Sequence, residues 1–240
     1  MEEDVRLEER SQTGIIRHAS AVYGESNDGR PLTVWLPEEE KPTVLVLASM
    51  HGDESETTVV LSDALRSIRV ESLKNAAILC GNPDGLVRGT RGNARGVDLN
   101  RNFPTANWSP EPVSYKSRKN GPRDINLSPG DHPASEPETT ALLSLLDRMK
   151  PSAVITLHAA LACIDDADDS FLGRRLSERS GLPLEPVKYA TPGSFGSWAQ
   201  EHNLNLVTYE FEAASSYELK ERHAPVFIEV LTGKIDLEGS

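Results

Sequence analysis

Four short apolar runs, at 43–49 (TVLVLAS), 76–80 (AAILC), 152–157 (SAVITL) and 204–211 (LNLVTYEF), set the tightest limit on how this chain folds. Each is dense in Val, Ile, Leu or Ala with little polar alternation, the pattern of strands buried on both faces. Segments of helical period lie between them: 54–70, carrying Val59, Val60, Leu61, Leu65 and Ile68, then 135–149 and 169–180. The second opens with Ser135 and Glu138 at capping-box spacing and has Pro137 in its first turn; the third stops at Gly181. Strands alternating with helices predict an α/β fold whose mixed, largely parallel central sheet is flanked by helices.

The expected organisation is one domain over residues 1–240, interrupted by a long loop at about 104–134. That stretch is crowded with Pro, Ser, Asn and Gly and has no period. The longest apolar run, VLVLASM, has seven residues, against the about twenty that a membrane-spanning helix needs. A formal charge of −12 speaks against nucleic acid or an anionic membrane as partner. The first residues, MEEDVRLEER, are acidic where an export signal is basic and then apolar, so the cytoplasm is the expected compartment. Cys80 and Cys163 have neither CxxC spacing nor companions and read as reduced, structural thiols.

Of six histidines, His18, His132, His202 and His223 sit in polar stretches and read as surface or cap residues. His51 and His158 each follow an apolar strand, and ligand crevices of open α/β sheets lie at strand carboxyl ends. His51-Gly52-Asp53-Glu54 adds a carboxylate beside the first, giving the nitrogen and oxygen donors of a catalytic zinc site. A fourth strand ends in Thr208-Tyr209-Glu210-Phe211. Its carboxylate is either an ordinary strand-end acid or the non-ligand base that a zinc hydrolase requires. The loop 82–104 (NPDGLVRGTRGNARGVDLNRNFP) brings Arg88, Arg91, Arg95 and Arg101, a cluster able to polarise a carbonyl and clamp a carboxylate.

These blocks resemble the zinc carboxypeptidase family. The likeness runs through 24–32 (GESNDGRPL), 51–54, 82–85 (NPDG), 96–104 (GVDLNRNFP), 135–139 (SEPET), His158 and Glu210. The resemblance implies one zinc on His51, Glu54 and His158, and Glu210 as general base. It implies that Arg91 polarises the scissile carbonyl and that Asn100 and Arg101 hold the substrate's terminal carboxylate. Asp98 would accept the second N–H of His51, and Tyr189 would be the mobile tyrosine that covers the substrate. Segments 106–112, 161–166 and 191–198 resemble the short bacterial members that act on murein peptides. They imply a small peptide partner, the tripeptide L-Ala-γ-D-Glu-meso-diaminopimelate, with monomer and homodimer both left open. Relatives that prefer basic side chains carry an acid seven residues beyond the tyrosine, where this chain has Gly196. A plain Lys/Arg preference is therefore not expected, and the distal diaminopimelate centre must be read elsewhere. A zinc deacylase of small N-acyl amino acids, of the aspartoacylase kind, would share HxxE and the later histidine, but NPDG and GVDLNRNF favour the peptidase. A non-catalytic sensor of murein fragments would have no use for Glu210.

Overall fold

The computed structural model describes residues 14–38, 41–117, 123–187 and 191–235. The chain runs β1 (Ser20–Glu25), β2 (Pro31–Trp35), β3 (Val44–Leu47), α1 (Ser55–Ser67), β4 (Ala76–Ile78) and α2 (Pro83–Arg88). It continues through β5 (Val113–Ser117), β6 (Arg123–Leu127), α3 (Pro137–Met149), β7 (Ala153–Ala159) and β8 (Cys163–Asp165). The last part holds α4 (Phe171–Ser180), α5 (Phe195–Glu201), β9 (Asn205–Phe211) and α6 (Ser216–Leu231). Seven strands make a mixed sheet in the order β1-β2-β4-β3-β7-β9-β8. The inner four, β4, β3, β7 and β9, are parallel, and they are the four apolar runs of the sequence. Both flanks are antiparallel.

Strand parity sorts the side chains between two cores. Val44 and Val46 of β3 join Ile155 and Leu157 of β7 and Val207, Tyr209 and Phe211 of β9 on the face covered by α1 and α6. Leu45, Leu47 and Val154 point the other way, towards Leu142, Leu145 and Leu146 of α3 and Phe195 of α5. Val60, Leu61 and Leu65 of α1 are fully buried, each worth about 1.5–3 kcal/mol over exposure. Even-numbered residues near the ends of β7 and β9 thus face away from the α1/α6 core. That parity delivers His158 and Glu210 to the open end of the sheet. No helix of the described residues is long and apolar enough to cross a membrane.

Four local expectations are corrected. The stretch 104–134 contains an antiparallel ribbon, β5 with β6, anchored by a bridge between Val97 and Ser128. Its short alternation (Val113, Tyr115; Ile125, Leu127) was hidden by the Pro- and Asn-rich flanks. Ser135 and Glu138 form no capping box: α3 starts at Pro137 with Glu136 as its cap residue, and Glu138 accepts from the Asn27 backbone N–H instead. A capping box does close α6, between Ser215 and Glu218. His18 and His223 are buried, not superficial. His223 bridges the Tyr209 hydroxyl (2.7 Å) and the Glu212 carboxylate (2.9 Å), tying α6 to β9. His132 and His202 are exposed as expected.

Candidate metal and catalytic site

After β3 the backbone turns sharply at Ser49, in the left-handed region at φ 45°, where the Ser49 N–H donates to Thr57 Oγ1 of α1. The turn delivers His51 and then Glu54, the residue that opens α1. Gly52 between them has no room for a side chain: a Cβ there would stand 2.0 Å from the Gly85 carbonyl carbon and 2.3 Å from the Leu86 nitrogen. The loop after β4 therefore lies backbone against backbone on this turn, and the Gly52 N–H donates to the Arg91 carbonyl.

A buried polar web fixes that loop. Asp84, fully buried, accepts from Ser26 Oγ, the Asp28 N–H and Arg30. Asn27 and Asn93 both donate to the paired carboxylates of Glu136 and Glu138. The GESNDGRPL, NPDG and SEPET blocks are thus one structure, and buried carboxylates keep to it because their lost hydration is replaced by these donors. Arg88 and Arg95 belong to this outer web, bonded to Asp28 and to Asp131 and Glu136. They do not line the cavity, so the expected four-arginine cluster reduces to Arg91 and Arg101.

At the sheet end His51, Glu54 and His158 converge, with one donor atom from each within 4.8 Å of the others. His51 Nδ1 lies 3.0 Å from Glu54 Oε1, and His158 Nδ1 lies 2.9 Å from Glu54 Oε2 and 3.1 Å from His51 Nδ1. Asp98 Oδ1 takes the Nε2–H of His51 at 3.1 Å. That bond orients the ring so that Nδ1 faces the cluster. Two imidazole nitrogens and a carboxylate facing one another at hydrogen-bond distance form the donor set of a catalytic zinc. Burial and the Arg91 charge act to lower the His51 imidazole, but Glu54 and Asp98 outweigh them and lift it to about 9. Burial would raise Glu54, yet the two imidazoles hold it well below the usual carboxylate range.

Arg91 donates from Nη1 to Glu54 Oε1 at 2.8 Å and from Nε to Asp98 Oδ2 at 3.4 Å. The ring of Tyr115, on the ribbon, lies 4.0 Å from its guanidinium carbon. Glu210 pairs in register with His158 across β7 and β9 and accepts a long bond from the Leu161 N–H (3.4 Å). Burial, reinforced by Glu54, raises its carboxyl despite the opposing pull of His158. Asn100 Oδ1 accepts the Phe195 N–H, and Arg101 bonds the Asn100 carbonyl. All of these except Asp98 and Phe195 line one cavity of about 310 Å³. Asp98 lies behind His51, and Tyr189 lies outside the described residues.

Glu212, the nearest other acid to Glu210, turns to Arg222 and His223 and does not line the cavity. Sequence reasoning missed Tyr115 and Asp165, which do line it. The alternation of β5 was the available signal for Tyr115; Asp165 stood inside the LACIDD block without an assigned part.

The profile of the family described as zinc carboxypeptidase matches residues 16–164. Murein peptide amidase A of Escherichia coli (strain K12) is 44% identical over 218 residues, 89% of this chain and 90% of the relative. Murein peptide amidase A of Vibrio campbellii (strain ATCC BAA-1116) is 39% identical over 236 residues, covering 97% and 95%. Among solved structures, the murein-tripeptide amidase of Escherichia coli O157 superposes with a TM-score of 0.90 at 40% identity, covering 94% of this chain and 97% of that one. Thrombin-activatable fibrinolysis inhibitor shares the fold, at TM-score 0.68 and 17% identity over 89% of this chain and 70% of its own.

Proposed function

Because the chain belongs to the zinc carboxypeptidase family, we propose that it acts as a murein peptide amidase. The bond it cuts joins γ-D-glutamate to meso-diaminopimelate in L-Ala-γ-D-Glu-meso-diaminopimelate. The chain is a hydrolase and its cofactor is zinc. The observation that carries the reading is the convergence of His51, Glu54 and His158 at the sheet end, with Glu210 in register beside His158.

His51, Glu54 and His158 hold the metal in this proposal, and Asp98 fixes the His51 tautomer. Zinc bound there supplies Lewis-acid polarisation and acidification of water. Glu210 takes a proton from the attacking water and returns it to the leaving amine nitrogen. Its partly dehydrated carboxylate, raised by burial, is a stronger base than one in bulk water. Arg91, held by two carboxylates and the Tyr115 ring, donates to the scissile carbonyl oxygen as negative charge develops on it. Cleavage of this bond needs a clamp for the free carboxylate beside the amide, and Asn100 with Arg101 supply it. Tyr189 is assigned the substrate-covering part.

Action in the cytoplasm during cell-wall recycling completes the proposal. Its support is that Cys80 and Cys163 are free thiols. The test is to incubate zinc-loaded protein with the tripeptide and its lysine counterpart and quantify the released amino acid by mass spectrometry. The diaminopimelate peptide is expected to be cleaved at least ~100-fold more efficiently, a ratio a hydrogen-bonding site can reach. Equal rates, or preferential release of C-terminal Phe or Lys from ordinary α-linked peptides, would overturn the murein assignment.

A further inference from the structure

A second cavity of about 230 Å³ adjoins the catalytic one. The two share Asp165, Val187, Thr191, Gly196 and Thr208 in their walls, so they meet at these residues. Gly196 keeps the passage open: a Cβ built there meets nothing nearer than Ser194 Oγ at 3.7 Å. In relatives that prefer basic side chains this position bears the acid; here it bears only space.

The acid stands on the opposite wall. Asp165, on β8, is paired directly across from Thr208 of β9. Residues opposite each other in an antiparallel pair have Cβ atoms about 4.5–5.5 Å apart on the same face. Thr208 precedes Glu210 by two residues on that face, roughly 6.6–6.8 Å along the strand. One Asp165 oxygen is engaged by the Val187 N–H at 2.8 Å. Burial raises this carboxyl, so a cation beside it would replace hydration it has lost.

The side chain of diaminopimelate ends in an ammonium and a carboxylate, on a carbon four C–C bonds from the first α-carbon. With bonds of about 1.5 Å in zigzag that is on the order of 5 Å, the scale of the step from Glu210 to the Asp165–Thr208 pair. We propose that Asp165 is the specificity residue for this distal centre: its carboxylate receives the ammonium in the side chamber that Gly196 leaves open. The accompanying carboxylate meets the Thr208 hydroxyl and the Gln200 amide, which are donors on the same chamber wall. Lysine places an ammonium on the same carbon but leaves those donors unpaired, which separates the two substrates. The assignment rests on the murein tripeptide reading.

The experiment measures kcat/KM of zinc-loaded wild type and Asp165→Asn on three γ-D-glutamyl tripeptides ending in diaminopimelate, lysine or norleucine. Asn keeps an oxygen for the Val187 N–H, so the wall is retained. The diaminopimelate-to-norleucine and lysine-to-norleucine ratios are expected to fall at least ~10-fold in the variant, chiefly through KM, because a charge-assisted bond is lost. A second variant, Gly196→Leu, fills the passage. It is expected to depress the diaminopimelate peptide at least ~10-fold relative to one ending in alanine, as added bulk blocks the longer side chain. Ratios unchanged in Asp165→Asn, or an equal loss on all three peptides, would overturn the assignment. If wild type cleaves none of them, the murein reading falls and this one with it. That outcome is distinct from an active enzyme whose ratios ignore Asp165.

Discussion

Replacing Gly52 by alanine tests how the two loops of the site depend on each other. The new Cβ would stand 2.0–2.4 Å from the Gly85 carbonyl group and the Leu86 nitrogen, all backbone atoms. Ordinary carbon contacts are about 3.5–4.0 Å, so one loop must retreat by roughly 1.5 Å. Neither loop is free to do so: one carries His51 and Glu54, and the other is pinned through Asp84 and Asn93. Overpacking costs about 1–3 kcal/mol, and the upper end applies because no side chain can rotate away. At about 2–4 °C per kcal/mol for this size, the melting temperature should fall by roughly 6–12 °C. The same retreat pulls Arg91 from Glu54, now 2.8 Å away, and a misplacement near 1 Å costs about a hundredfold in rate. Differential scanning calorimetry and steady-state cleavage of the tripeptide, both on zinc-loaded protein, read the two effects. A Gly52→Ala protein that melts within a degree of wild type and turns over normally would show that the loops are not packed as described.

Glu210→Gln should retain stoichiometric zinc and lose at least ~100-fold in kcat, the usual worth of a general base; near-normal turnover would remove Glu210 from that part. His158→Ala should no longer hold zinc at one per chain after dialysis, measured by atomic emission; full retention with full activity would move the ligand elsewhere. Burial acts to raise Glu212, but its own backbone N–H, His223 and Arg222 hold it below its ordinary value. A depressed carboxyl contributes stability above its unfolded pKa of about 4.3, lost as pH falls through the lower folded value. Glu212→Gln should therefore lower the melting temperature at pH 7, and the gap should close as the pH falls below 4. A gap that does not narrow as the pH falls would mean that the Glu212 charge is not what holds α6.

The inner sheet was readable because strands buried on both faces leave unbroken apolar runs, and strand ends announce the ligand crevice. His51, Glu54 and His158 were accessible on those grounds, whereas only the family resemblance separated Glu210 from an ordinary strand-end acid. The outermost strand β1 was not readable, because it is largely exposed, Val22 included, and so carries no burial pattern. The ribbon was lost for a related reason: two five-residue strands carry too few alternations to stand out from the prolines and asparagines beside them. Glu138 misled because its donors, Asn27 and Asn93, lie more than forty residues away along the chain. A spacing rule for local caps cannot see such partners. What Gly52 provides is contact with another backbone, which only the fold displays.

The split of β9, with Tyr209 and Phe211 in the core and Thr208 and Glu210 in the cavity, makes that strand behave like a reading frame. A substitution at one position changes one side chain. Deleting a single residue between Asn205 and Thr208, with the sheet pairing upstream preserved, would exchange the faces of everything downstream. The carboxylate of Glu210 would enter the packed layer beside Phe227, and the Phe211 ring would swing out against His158. Length along this strand is therefore held more strictly than composition. A chain with every functional residue still present, but one position out of phase, would lose its stability and its chemistry in the same step.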